Sequence, residues 1–341
     1  TKEKGRVTRA AAMALKSRVT LYMASPLFSE DSEDKWKQAA EAAYDIIKQK
    51  TDLGLDLVPY PQIFNDVNNQ KAEVILYRPT GESGDFEKAN FPIGVEGGKT
   101  STCPTQNLME AYDMKDGTPF VWNNQSNPYD NRDPRMKYTI VCNEMKWPVD
   151  PVEIWEGGTN GLPLQNATTT GYYLKKYVNN TISFEAGSTV TKKQHNWVLF
   201  RYGEILLNYA EAMINAFHDP NYKDAVYNMS AREAVNQIRG RTNISLPGFP
   251  SDITEKDFVK RLKNERRVEL AFEGHRFWDV RRWKELGQTA NIYGVKITKN
   301  NEVISYEKFL LETRAVTDNM YFYPIPNTER FKNPNLGQNP G

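Results

Sequence analysis

Glu265 and Glu269 sit four residues apart within Lys263–Lys284, which reads KNERRVELAFEGHRFWDVRRWK. Carboxylates at this spacing share a helix face and interact. Such a pair could serve as acid and base in glycoside hydrolysis if one carboxyl had a raised pKa. The neighbouring Arg266, Arg267, Arg276, Arg281 and Arg282 argue the other way, because nearby guanidinium groups favour two ionised carboxylates. The residues therefore read as a structural ion-pair network of Glu265, Arg266, Glu269 and Arg276, with Arg201 of a facing helix as a further partner.

The element that must position them is a helix. Thr254 with Asp257 three residues on is a capping-box signature. Steps of four and three link Phe258, Leu262, Glu265, Glu269, Phe272 and Arg276 into one face. A carboxylate on that mostly apolar stripe has to be paired, since desolvating it alone is costly. Gly274 is the expected stop, and His275–Trp278 begins a second short helix or turn.

Other helices flank this one. Residues 6–25 and 33–49 form a helical hairpin, with Ala39, Ala40 and Ala43 allowing close approach. Residues 197–217 return to helix, with Tyr202, Leu206, Tyr209 and Met213 on an apolar face and Arg201, Glu204, Asn208 and Glu211 on a polar one. Residues 231–241 follow as its partner. Aromatic and small residues on antiparallel helix pairs are a tetratricopeptide-like pattern. Between the hairpins, residues 51–197 are rich in Gly, Pro, Asn, Asp and Thr and lose helical period. That length exceeds an ordinary connection and reads as an inserted, loop-rich lobe with strands at Lys137–Asn143 and Gly171–Val178. Tyr306–Leu311 reads as a short helix, and the Pro/Asn-rich C-terminus as extended chain. The fold class is mainly α, with four stretches: 1–50 helical hairpin, 51–197 loop-rich lobe, 198–286 helical scaffold and 287–341 extended segment.

Composition narrows the function. The chain has 341 residues, and Lys+Arg 44 against Asp+Glu 43 gives a net charge of +1, so nothing points to nucleic acid. Aromatics reach 12%, with 18 Tyr and 7 Trp. Cys103 and Cys142 lack metal-ligand spacing and read as two unpaired thiols. No cofactor is expected.

The chain resembles the SusD/RagB family of nutrient-binding outer-membrane lipoproteins. The likeness is carried, in family order, by GRVTRAAAMALKSRVTLYMASPLF (5–28), PTQNLMEAYDMKDGTPF (104–120), NPYDNRDPRM (127–136), TGYYLKKYV (170–178), LFRYGEILLNYAEAM (199–213), NERRVELAFEGHRFWDVRRW (264–283) and YPIPNTERFKNPNLGQNPG (323–341). It implies a tetratricopeptide-like scaffold carrying a ligand-binding lobe. It implies a cell-surface lipoprotein that captures glycan and delivers it to a SusC-like TonB-dependent transporter, without catalysis. The family's N-terminal part, with its signal and lipidated cysteine, has no counterpart here, so the chain is expected to be a truncated member.

Glycans present C–H faces and hydroxyls, so a site needs exposed flat aromatics and placed polar groups. Aromatics on helix-period faces belong to the core. Those left in irregular polar sequence are Trp122, with Asn123, Asn124 and Tyr129 nearby, then Trp147 and Trp155. These six are the candidate glycan-binding residues. The rival readings are a peptide- or protein-binding helical scaffold and a glycoside hydrolase.

Overall fold

The computed structural model describes residues 6–30, 32–123, 127–185 and 191–339. Helix α1 (Arg9–Ala24) is capped by Thr8, whose hydroxyl accepts from the Ala11 N–H. It buries Ala10, Ala11, Ala14 and Leu21 against α2 (Glu33–Ile47), which presents Ala39, Ala40 and Ala43. Small side chains on both partners let the two axes approach closely. The irregular region then holds β1 (Val74–Ser83), α3 (Asp85–Asn90), α4 (Gln106–Met109), α5 (Pro134–Thr139), β2 (Ile140–Val141), β3 (Tyr173–Leu174) and β4 (Lys193–Arg201). After it come α6 (Tyr202–Phe217), α7 (Ala231–Arg239), α8 (Glu255–Glu269), α9 (Arg276–Arg282), β5 (Asn291–Asn300), β6 (Val303–Thr313) and α10 (Asn327–Lys332).

Helix α6 is the axis of the helical part. All but two of its 16 residues are buried, and it touches α1, α2, α7 and α8. Its polar side chains are therefore interior groups rather than a solvated face. Glu204, Asn208 and Glu211 are each at most 4% exposed and must find partners inside the protein.

Four expectations are corrected by the structure. Residues 197–201 are strand, not helix: Val198 and Phe200 are buried while Leu199 faces out, a period of two. This strand β4 pairs antiparallel with β1 from Val74↔Arg201 to Ser83↔Lys193. The segment read as a strand from Lys137 starts instead within α5, where Asp133 caps and Pro134 takes the first helical turn; only Ile140–Val141 pairs, with Tyr173–Leu174. Helix α8 begins as the Thr254 cap requires but stops at Glu269 rather than Gly274, with Phe272 at φ +59° and 37% exposed. The last and largest difference is at Tyr306–Leu311, which lies in strand. β5 and β6 form a hairpin in register from Asn291↔Thr313 to Asn300↔Val303, closed by Asn301 at φ +54°. Most of β6 is exposed, so its alternation leaves little apolar signal. The strands β1, β4, β5 and β6 span 9–11 residues, whereas β2 and β3 have two each.

The early end of α8 has a physical cause. The carbonyls at and just beyond its end are taken by cations and a phenol from elsewhere. Arg201 donates to Glu269 O at 2.9 Å, Tyr60 Oη to the same oxygen at 3.1 Å, and Lys176 Nζ to Ala271 O at 2.6 Å. Positive groups at a helix C-terminus satisfy its orphan acceptors and its dipole together.

Gly203 is required by close approach. A Cβ there would stand 2.9 Å from Glu73 Oε1 and nearer still to the Arg201 guanidinium. Gly203→Ala is expected to lower stability by about 1–3 kcal/mol through overpacking. Gly287→Ala, with nothing within 4 Å of the added carbon, should leave the urea midpoint within error of the parent.

Candidate functional site

Glu265 and Glu269 occupy the centre of a buried lattice of guanidinium and carboxylate groups. Glu269 accepts from Arg135 (2.8 Å), Arg201 (2.8 Å) and Arg241 (2.9 Å). Glu265 accepts from Arg135 and from Arg239 at 2.7 Å. Glu73 receives Arg201 at 2.8 Å and Arg241 at 3.0 Å. Glu273 receives Arg201 at 2.7 Å and Lys176 at 2.8 Å. The side chains in these pairs are at most 3% exposed.

The partners are thus sequence-distant, and Arg201 stands at the strand–helix junction rather than on a helix face. The sequence-local arginines do other work. Arg266 bonds Asp279 at 2.9 Å and Asn208 at 2.7 Å, and Arg282 bonds Glu211 and Asp279, tying α9 and α8 to α6. Arg276 donates to the Gln288 amide oxygen at 2.8 Å and lies outside the Glu265–Glu269 lattice, because the chain turns away at Phe272–Gly274 before reaching it.

Burial alone would push these carboxyls up. The guanidinium groups more than offset it: Arg135 and Arg239 hold Glu265 below its ordinary value of 4.5, and Arg241, Arg201 and Arg135 hold Glu269 far below it. Glu273 is lowered in the same way by Arg201 and Lys176. Neither member of the Glu265–Glu269 pair is the proton donor that a glycosidase acid must be.

Concave surface lies elsewhere. A cleft of about 420 Å³ is lined by Phe64, Tyr138, Trp147, Tyr177, Asn179 and Asn180, among others. A second, of about 690 Å³, runs along Phe91, Trp147, Asn160, Asn180, Thr181 and Phe184. The two adjoin at Trp147, Asn180 and Thr181, which line both, and are taken together as the trough. In the first cleft Phe64 and Tyr177 meet edge to face at 4.9 Å, and Lys175 Nζ lies 4.9 Å from the Trp147 ring centre. Tyr138 and Asn179 are half-buried and Asn180 and Thr181 exposed, so aromatic and amide groups are both open to a ligand.

The six sequence candidates are not brought together. Trp147, 7% exposed, lines the trough. Trp122 is half-buried beside Phe120 at 6.4 Å, and Asn123 is exposed. Trp155 packs half-buried on the lobe core with Lys299 Nζ 4.5 Å from its ring centre. Tyr129 is corrected to a core residue: it is buried, edge-on to Tyr172 and Tyr306, and lines neither cleft. Asn124 lies outside the described residues. Sequence reasoning missed Phe64, Tyr138, Tyr177 and Asn180. The available signal was the TGYYLKKYV segment, whose Tyr177 and following Asn pair line the trough.

The SusD family model matches residues 62–341. The chain belongs to the SusD family. SusD-like protein P2 of Formosa agariphila is 30% identical over 162 residues, 46% of this chain and 28% of that protein. The crystal structure of a SusD-like protein from Bacteroides fragilis matches at 26% identity with a TM-score of 0.78, over 99% of this chain and 66% of that one. A SusD-like carbohydrate binding protein from the same species shares the fold at a TM-score of 0.78 and 24% identity, over 98% and 66%. The chain thus spans just under two thirds of these two solved SusD-like chains and 28% of the Formosa relative.

Two outcomes follow for this SusD-family lattice. Glu269→Ala leaves Arg135, Arg201 and Arg241 short of a carboxylate in a dry interior, at an expected cost of about 3–5 kcal/mol by urea unfolding. A loss under about 1 kcal/mol would show the arginines re-pairing without it. Acid should act through the same groups. Glu265, Glu269 and Glu273 have folded pKa values below the ordinary 4.5, so the unfolded chain binds more protons once pH drops to that value. Their contribution is complete above 4.5 and is lost as pH falls through it toward the folded values. The urea midpoint should decline gently as pH falls through about 6.5, where only the unfolded chain protonates the buried His275, and fall steeply below about pH 4.5.

Proposed function

We propose that this chain is a non-catalytic glycan-binding protein whose ligand lies in the trough over Trp147. The observation that carries the reading is the shared wall of Trp147, Asn180 and Thr181 between two adjoining clefts, flanked by Tyr138, Phe64 and Tyr177. Aromatic faces cover sugar C–H surfaces, and amide and hydroxyl groups meet the sugar hydroxyls. A trough open at both clefts suits an oligosaccharide better than a monosaccharide. The names of relatives support the ligand class: a SusD-like carbohydrate binding protein from Bacteroides fragilis and surface glycan-binding protein A from Bacteroides uniformis share the fold.

The finer parts of the reading extend from the family. The chain would act at the outer cell surface, held by a lipid anchor, and deliver captured glycan to a SusC-like TonB-dependent transporter. Its helix pairs α1–α2 and α6–α7 would form the tetratricopeptide-like scaffold beneath the binding lobe. No helix among the described residues is long and apolar enough to cross a membrane. The absence of catalysis is supported by Glu265 and Glu269, both buried and both held ionised.

Calorimetric titration with a panel of neutral oligo- and polysaccharides tests the reading. Tyr138→Ala and Asn180→Ala, at half-buried and exposed positions, are expected to weaken binding about tenfold each, equivalent to about 1.4 kcal/mol, with little change in melting temperature. Binding unchanged in both variants would remove the ligand from this trough. Reducing-sugar release that disappears in Glu265→Gln would overturn the non-catalytic reading.

A further inference from the structure

One cleft of the near-neutral chain carries an excess of basic side chains on its lining. It encloses about 490 Å³ between α8 and residues 110–120. Its three acids are already engaged: Glu110 with Lys308 at 2.8 Å, Asp113 with Arg239 at 3.2 Å and Glu285 with Lys263 at 2.5 Å. Of its bases, Lys263 meets Glu285 and Arg261 stands 3.6 Å from Asp113, but the others are not matched in this way. Arg267 donates to the Asn107 carbonyl oxygen and Arg276 to the Gln288 amide oxygen, each at 2.8 Å. Both acceptors are neutral, and among the described residues neither arginine has a carboxylate within 4 Å; Glu110 acts on Arg267, and Asp279 and Glu285 on Arg276, only at longer range. Lys256 and Lys260 stand exposed on the same lining.

Elsewhere in this protein Arg135, Arg201, Arg241, Arg266 and Arg282 each meet a carboxylate within hydrogen-bonding reach. Two half-buried guanidinium groups sharing a cleft without one are therefore an unfilled version of an arrangement this fold completes repeatedly. Burial, then the charge of Arg276, pushes Arg267 down to about 10, and burial lowers Arg276 as well. An anion between them would relieve both effects. Planar guanidinium forks bind carboxylate and sulfate in bidentate fashion. Phe120 and Val259 on the cleft lining give the carbon skeleton of a ligand an apolar wall.

We propose that this cleft is an oxyanion site, in which Arg267 and Arg276 hold the carboxylate or sulfate ester of an acidic saccharide. The oxyanion part stands on the cleft itself; the saccharide part rests on the glycan reading above. Sodium sulfate, sodium glucuronate and glucose can be titrated into the full chain by calorimetry, at constant ionic strength maintained with sodium chloride. Saturable binding of sulfate, glucuronate or both is expected, weakened at least tenfold by Arg276→Gln. Arg276→Lys should fall between the two, keeping the charge and losing the fork. Binding of one anion alone supports the site and identifies the group it takes. Should Arg276→Gln misfold, the exposed Lys260→Gln must still weaken anion binding, by about two- to threefold. Heats no larger than those of chloride, or anion binding indifferent to these substitutions, would overturn the proposal. Loss of neutral-glycan binding in the Tyr138→Ala variant with anion binding intact keeps the two sites separate, so either reading can fail alone.

Discussion

The structure depends on how Glu269 is neutralised. One carboxylate at the end of α8 receives guanidinium groups from α5, from the β4–α6 junction and from the turn after α7. Arg201 and Arg241 also hold Glu73, just before β1. Segments separated by up to about 200 residues are thereby registered at one point. A buried ion pair is weak evidence for stability in itself, since an apolar cluster of the same volume can do as well or better. What it supplies is discrimination: any other packing of these segments strands a charge in a dry interior. Arginine suits the role because its fork can bond two or three carboxylates at once, as Arg135 does with Asp133, Glu265 and Glu269.

That constraint also separates the scaffold from the site. The residues that look most reactive in the sequence are saturated with partners, held ionised and buried. The proposed ligand surface is built from ordinary aromatic and amide side chains, most of them on irregular chain, with Tyr138 on α5. Such chain can be shaped for a ligand only if something else fixes where it runs, and the lattice meets that need.

Legibility in the sequence followed the same division. The helices α1, α2, α7 and the start of α8 were readable because their caps and apolar periods are local: Thr8, Ser32, Ser230 and Thr254 each accept from a backbone N–H three residues on. The end of α8 was not, because Arg201, Lys176 and Tyr60 terminate it from sequence positions far away. The β5–β6 hairpin escaped because β6 buries little beyond Tyr306, which leaves the period-two signal almost blank. In the trough, Trp147 could be picked out by its irregular surroundings. Tyr129 sits in similar sequence and is core, since what buries it is Tyr172 and Tyr306. Tyr138 and Tyr177 were masked by the strand pattern read around them. For isolated aromatics in loops, exposure is a tertiary property and local sequence carries little of it.

The trough and the lattice meet at Lys176. Its ammonium lies 2.8 Å from Glu273 and 2.9 Å from the Tyr60 hydroxyl, and its charge stands 4.1 Å from the centre of the Phe64 ring. Phe64 in turn packs edge to face on the adjacent Tyr177. The aromatic wall of the first cleft is thus backed by a charge held in place by Glu273 and the Tyr60 hydroxyl. Burial lowers Lys176 to about 8, with Glu273 opposing the shift, so the lysine remains largely charged at neutral pH and the backing holds. The exposed Asn180 and Thr181, which line both clefts with Trp147, have no hydrogen bond or ion pair to the lattice among the described residues. In the proposed glycan site, anchored aromatic side chains would lose little ordering entropy where they cover a sugar face. Adaptation would be left to the solvated polar side chains that meet the hydroxyls.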